Sequence, residues 1–137
     1  MSKENYLSGS PEPEIVNSIL DMSCLIRKYM AHAPRHEKYA LCCRILNTVD
    51  EFYEMIIDAQ FSRGKQRVSI LKKSDKTLNR LKFLLLGYYK HGYFQYKHNR
   101  RTQTSREANR KYKSLQIHLT SVGSQLGGWL SHESKKL

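Results

Sequence analysis

Apolar residues recur along this chain with the spacing of one helix face, four times over, and polar or turn-forming residues separate the four runs. In the first run Ile15, Ile19, Met22, Ile26 and Tyr29 follow at intervals of three and four, with Val16, Leu20, Leu25 and Met30 widening the stripe. Ser10, Pro11, Glu12 and Glu14 predict its start: an oxygen acceptor at the cap, a residue with no amide to satisfy, then acids near the positive helix end. Pro34 disfavours helical geometry in the residue before it, so the first helix is expected over 12–33. Tyr39, Cys42, Ile45, Val49, Phe52, Ile56 and Ala59 predict a second helix over 37–62, ended by Arg63 and Gly64, where glycine offers the left-handed conformation. Leu71, Leu78, Leu81, Leu85 and Tyr88 predict a third over 67–91, stopped by Gly92. Ala108, Tyr112, Leu115, Leu119, Val122, Leu126 and Trp129 predict a fourth over 105–131, capped by Ser105. Similar lengths and short connections give an all-α chain, an up-down-up-down antiparallel four-helix bundle over 12–132. Residues 1–11 read as a flexible N-terminal arm, 93–104 as a basic loop and 133–137 as a C-terminal tail.

Two helices carry more apolar surface than one bundle core uses. The third is apolar on every side from Phe83 to Tyr89 (FLLLGYY), and the second nearly so from Phe52 to Ile57 (FYEMII). A second buried face follows, most simply between copies of the chain, with Phe52, Tyr53, Phe83, Leu86 and Tyr89 as candidate interface residues. Gly123 and Gly127 join them, because a glycine inside a helix costs up to about 1 kcal/mol relative to alanine. Close approach of another helix or another subunit would offset that cost.

At 137 residues the chain fits one domain with one core. Its three cysteines, an odd number with Cys42 and Cys43 adjacent, make no disulfide framework. The N-terminus lacks the apolar centre of a signal peptide, and no apolar run approaches the roughly 18 residues of a membrane span. A cytoplasmic protein without a membrane partner is expected.

Charge changes the picture more than any of these. The net charge is +12, and 16 of the 24 Lys and Arg fall between Arg63 and Lys113, against only Asp75 and Glu107 there. A field so one-sided repels itself unless a polyanion lies against it. The candidate nucleic-acid contacts are Arg63, Lys65, Arg67, Lys72, Lys73, Lys76 and Arg80 around the start of the third helix. Lys97, Arg100, Arg101, Arg106, Arg110 and Lys113 follow in the loop and the first turns of the fourth. Such a surface holds phosphates with little base readout. Tyr93, Phe94, Tyr96 and Tyr112 are candidates either for base stacking or for packing against their own helices.

Catalytic constellations are weak. His32 and His36 have a metal-like spacing, but Pro34 breaks the helix that would align them. Gly64-Lys65 lacks the flanking residues of a phosphate loop. Arg27 and His32 make an R-x-x-x-x-H pair, as in the nuclease signature of some helical bundles, at a frequency that chance supplies. No carboxylate cluster in the basic half would hold a magnesium ion. The expectation is a protein that is not an enzyme, with no cofactor and no metal.

Two stretches carry a family resemblance. Ser74 to Leu86 (SDKTLNRLKFLLL) and Val122 to Leu130 (VGSQLGGWL), with Pro34-Arg35 at the first connection, resemble the accessory variability determinant (Avd) of diversity-generating retroelements. They resemble equally its relatives, the ribosomal-RNA intervening-sequence four-helix-bundle proteins. The Avd resemblance implies a barrel-like pentamer that binds RNA and DNA through its basic surface. It implies association with the retroelement reverse transcriptase, which makes adenine-mutagenised cDNA from a template-repeat RNA for retrohoming, and no catalytic role for this chain. Lys82 stands where the family usually has arginine and is thereby a candidate contact with polymerase or nucleic acid. The intervening-sequence resemblance implies the same fold with a structural or RNA-associated role.

Overall fold

The computed structural model describes residues 12–137; the expected arm (1–11) and its Ser10-Pro11 cap lie outside them. Four helices dominate: α1 (Glu12–Met30), α2 (Leu41–Gln60), α3 (Gly64–Lys90) and α4 (Ser105–Lys135). A 3-10 turn, Arg35–Glu37, joins α1 to α2. A second one, Tyr93–Gln95, leads from α3 into a small antiparallel hairpin, β1 (Tyr96–Lys97) and β2 (Arg100–Arg101), in which Tyr96 faces Arg101 and Lys97 faces Arg100. Helix α1 packs on α2 and α4, and α3 packs on α2 and α4.

Each helix buries one stripe. Ile15, Ile19, Met22 and Ile26 of α1 meet Ile45, Val49, Phe52 and Ile56 of α2, Leu78, Leu81 and Leu85 of α3, and Leu119, Val122 and Leu126 of α4 in one core, which Trp129 closes. In α3 the stripe runs through Ser74, whose hydroxyl is satisfied by donating to the Leu71 carbonyl at 2.8 Å. Among the described residues no helix is long and apolar enough to cross a membrane.

Several boundaries differ from the expected ones for local reasons. Helix α2 starts at Leu41, where the Glu37 carboxylate accepts from the Leu41 amide at 3.2 Å, so Tyr39 precedes the helix and is 95% exposed. Helix α4 is capped by Thr104, not Ser105: the Thr104 hydroxyl accepts from the Glu107 amide while the Glu107 carboxylate accepts from the Thr104 amide, both at 3.1 Å. It runs on to Lys135, so most of the expected tail is helical. Gly64 and Gly92 take left-handed φ values of 59° and 79°, as a residue without Cβ allows, and mark the two ends of α3.

The 93–104 segment is the largest difference. It is ordered by Phe94, which is fully buried against Tyr88, and by a two-residue turn, His98 and Asn99, both at positive φ (53° and 67°). Two positive-φ residues match the right-handed twist of a tight hairpin, and asparagine tolerates that conformation better than most residues. This turn docks on the end of α1: Asn99 donates from its backbone to His32 O at 3.2 Å and from its side chain to Ala33 O at 2.6 Å.

Candidate nucleic-acid interface

Most of the sequence-predicted cations reach the surface, on two separate regions. The first is α3. At about 100° per residue, Lys65, Lys72, Lys73, Lys76 and Arg80 fall within roughly one quarter of the helix circumference. All five are exposed, as is Arg63 just before them. Among the described residues, no carboxylate lies within salt-bridge distance of Lys65, Lys72, Lys73 or Lys76. Arg80 pairs with Glu51 at 2.6 Å, but both side chains are half exposed, so the pair adds little and a phosphate can replace the carboxylate.

The same face then turns apolar. Phe83 is 74% exposed and Leu86 36%. With Asn79, Lys82 and Tyr112 they line an open groove of about 300 Å³ between α3 and α4. Lys82 is exposed at its edge, its ammonium 3.7 Å from where a Cβ on Gly123 would sit.

The second region is the end of the molecule where the two long connectors meet, with Lys97, Arg100, Arg101 and Arg106 exposed and Arg110 and Lys113 on the adjoining turns of α4. Glu107, the acid nearest these cations in sequence, and Glu37, which bonds to Tyr93 at this end, are committed elsewhere. Glu37 accepts from the Tyr93 hydroxyl at 3.0 Å and from the Leu41 amide, and Glu107 closes the α4 cap. The backbone and hydroxyl donors of Thr104 hold the Glu107 carboxyl below the usual carboxylate range.

Two expectations need correction, and the open choice for two of the aromatics falls to packing. Arg67 is no nucleic-acid contact: its guanidinium donates to Ala59 O at 2.9 Å, to Gln60 O at 3.0 Å and to Glu133 at 2.9 Å, and it lies 5.6 Å over the Trp129 ring. The bond to Gln60 O satisfies a carbonyl at the end of α2, and the bond to Ala59 O adds to the one that carbonyl accepts from the Ser62 amide at 3.2 Å. Phe52 is no interface residue, because it is 0% exposed in the chain's own core. Phe94 offers no face to a base for the same reason, and Tyr112 is stacked on Tyr89 at 4.4 Å and 13°. Tyr53 and Tyr89 are half-buried against the core, Gly123 faces Leu78 of its own α3, and Gly127 opens to space.

Two structural roles went unread in the sequence. Glu133 sits one helical step beyond Leu126 and Trp129, in the next position of the core stripe, and that rhythm was the signal for its burial. Lys111 donates to Phe94 O at 3.1 Å and Tyr96 O at 3.4 Å and lies over the Tyr29 ring, tying the connector to α4; burial lowers its pKa.

His32 latches the hairpin. Its Nδ1 accepts from the His98 amide at 3.0 Å, and burial first, then His98, Lys111, Lys97 and Lys28, push its pKa below the usual imidazole value. A proton on Nδ1 removes the acceptor, so the contact stands when His32 is neutral and is lost as pH falls through the lowered pKa. We expect the His98 amide to exchange with solvent faster at pH values below that lowered pKa than at pH 7, after correction for intrinsic rates. In His32→Gln that pH dependence should vanish; amide exchange resolved by NMR reads both. Arg27, the other half of the R-x-x-x-x-H pair, is turned away to an ion pair with Asp50. Among the described residues no group of three or more metal-ligating side chains comes together.

Comparison with family models, with curated proteins and with solved structures found no match to this chain.

Proposed function

We propose that this chain is a non-enzymatic accessory protein of a diversity-generating retroelement, acting in the cytoplasm. In this reading an up-down-up-down antiparallel four-helix bundle binds template-repeat RNA and the cDNA through its cations. It associates with the reverse transcriptase and supports mutagenic cDNA synthesis and retrohoming. The observation that carries the reading is the α3 face, where Lys65, Lys72, Lys73 and Lys76 stand exposed with no carboxylate in reach among the described residues. Unneutralised cations on one helical face gain most from a phosphate chain, which releases its condensed counterions on contact. The SDKTLNRLKFLLL and VGSQLGGWL stretches direct the reading to the family that Avd shares with the intervening-sequence proteins, and the net charge of +12 favours Avd within it. Exposed Phe83 and Leu86 next to the basic face support self-association, proposed as a pentamer.

Light scattering at two salt concentrations, with and without a structured RNA, tests both parts. The expected result is a salt-insensitive pentamer whose RNA affinity falls with salt at a slope of about −0.9 per phosphate contact on duplex. It should become a monomer in Phe83→Lys/Leu86→Lys, and the assembled protein should retain the reverse transcriptase in a pull-down. A monomer that ignores RNA would remove this reading and leave a structural four-helix protein.

A further inference from the structure

The connector end of the bundle carries a second feature besides charge. Tyr93 is the hub of a group of rings: His91 stacks on it at 5.4 Å and 22°, while His36 and Tyr96 meet it edge-on, each at 6.0 Å. Beneath, Tyr88 contacts Tyr93 at 5.3 Å and is itself fully buried. Tyr93 is fixed further by its hydroxyl, which donates to Glu37. Its neighbours His36 and His91 are exposed, and Tyr96 is half-buried. Tyr39, 95% exposed, stands two residues beyond Glu37 on the same connector. Around these rings, residues 31–40 and 90–106 hold seven Lys and Arg (Arg35, Lys38, Lys90, Lys97, Arg100, Arg101, Arg106) against one acid, Glu37.

We infer that this end of the molecule is a binding platform for single-stranded nucleic acid, with the exposed rings stacking unpaired bases and the surrounding cations tracking the backbone. The inference rests on the nucleic-acid reading above and adds to it which form of nucleic acid is taken, and where. Three observations favour a single strand over a duplex. The rings offer flat faces, which paired and stacked bases cannot reach. The hairpin lies against the α1 end through His32 and Ala33, so it does not project as a ribbon that could enter a groove. Finally, His36, His91 and Tyr96 are held against Tyr93 before binding, so little of their side-chain freedom is lost when a base arrives. The outer face of α3 carries one exposed ring, Phe83, at the edge of its cations and no cluster of rings, and is suited to phosphates of any form.

Fluorescence anisotropy with a labelled 12-nucleotide strand, as RNA and as DNA, and with the duplex of the same sequence tests the inference at one fixed salt concentration. The single strands are expected to bind about 10-fold tighter than the duplex. Tyr39→Ala and His91→Ala should each weaken single-strand binding roughly 5-fold and leave duplex binding within about 2-fold, as loss of one stacked base predicts. Both side chains are exposed, so folding is not at stake; circular dichroism confirms it. Equal affinity for strand and duplex, or no effect of either substitution, overturns the platform while the nucleic-acid reading stands. Failure to bind either form overturns both. The RNA and DNA arms tell whether the 2′-hydroxyl contributes.

Discussion

Replacing Arg67 by alanine should destabilise the fold by about 3 kcal/mol, the lower end of the cost of stranding one partner of a buried ion pair. At this chain length that is a fall of roughly 10 °C in Tm. The lower end applies because Glu133, whose side chain is 7% exposed, keeps a second partner in Lys136 at 2.8 Å. The Glu133 carboxylate is not alone in losing its arginine partner, since the Gln60 carbonyl loses its donor and the Ala59 carbonyl loses one and keeps the Ser62 amide. Arg67→Lys should not restore stability, because one ammonium cannot reproduce a planar fork aimed at three oxygens. Hydrogen bonding from Lys136 first, then the Arg67 pair, outweighs burial and holds the Glu133 carboxyl below its usual range. A depressed carboxylate pKa contributes stability that is complete above the unfolded value, about 4.3, and is lost as pH falls through the folded value. Denaturant unfolding of Arg67→Ala at pH 7 and pH 3 checks both points. The difference from the parent protein should shrink at the lower pH, and a difference below about 1 kcal/mol at pH 7 would show that the pair behaves as a surface contact. RNA affinity of the folded variant should be unchanged, since all three nitrogens of Arg67 are occupied within the protein.

The opposite pattern is expected on α3. Lys72→Glu/Lys73→Glu/Lys76→Glu together should lower affinity for RNA by roughly 100-fold or more near 0.1 M salt. The magnitude of the log-log salt slope should fall by about three phosphate contacts' worth. Each of these residues is exposed and makes no ion pair among the described residues, so Tm should move by only a few degrees. Filter binding across a salt series separates the two effects. An unchanged slope would place the bound phosphates elsewhere on the molecule.

These two variants mark the boundary of what the sequence discloses. Helices α1 to α4 were legible because burial follows a period that the residue types repeat: Leu71, Leu78, Leu81 and Leu85 announce their shared face without any knowledge of the partner. The exposed lysines of α3 were legible too, since charge at high density remains in water. Arg67 was not, although it belongs to the same basic run. Whether a cation faces solvent or satisfies a carboxylate depends on where residue 133 lies in space, and nothing local to residue 67 encodes that. Phe52 was misread for a related reason: an apolar run on α2 shows that a second face is covered without showing which residue points inward. The hairpin escaped because its order depends on His32 and Ala33, 66 residues away from the turn they hold. Only Asn99, tolerant of positive φ, and the single apolar Phe94 hinted at it.

That distance gives the chain a built-in order of assembly. Helices close contacts a few residues apart, whereas His36 and Glu37 reach Tyr93 only after two connectors from opposite halves of the sequence have met. A half-folded chain therefore displays the lysines of α3 but leaves Tyr93 without its His36 edge and its Glu37 anchor. If single strands bind where the two connectors join, they recognise the finished protein alone, and each one bound shifts the equilibrium further from the unfolded state.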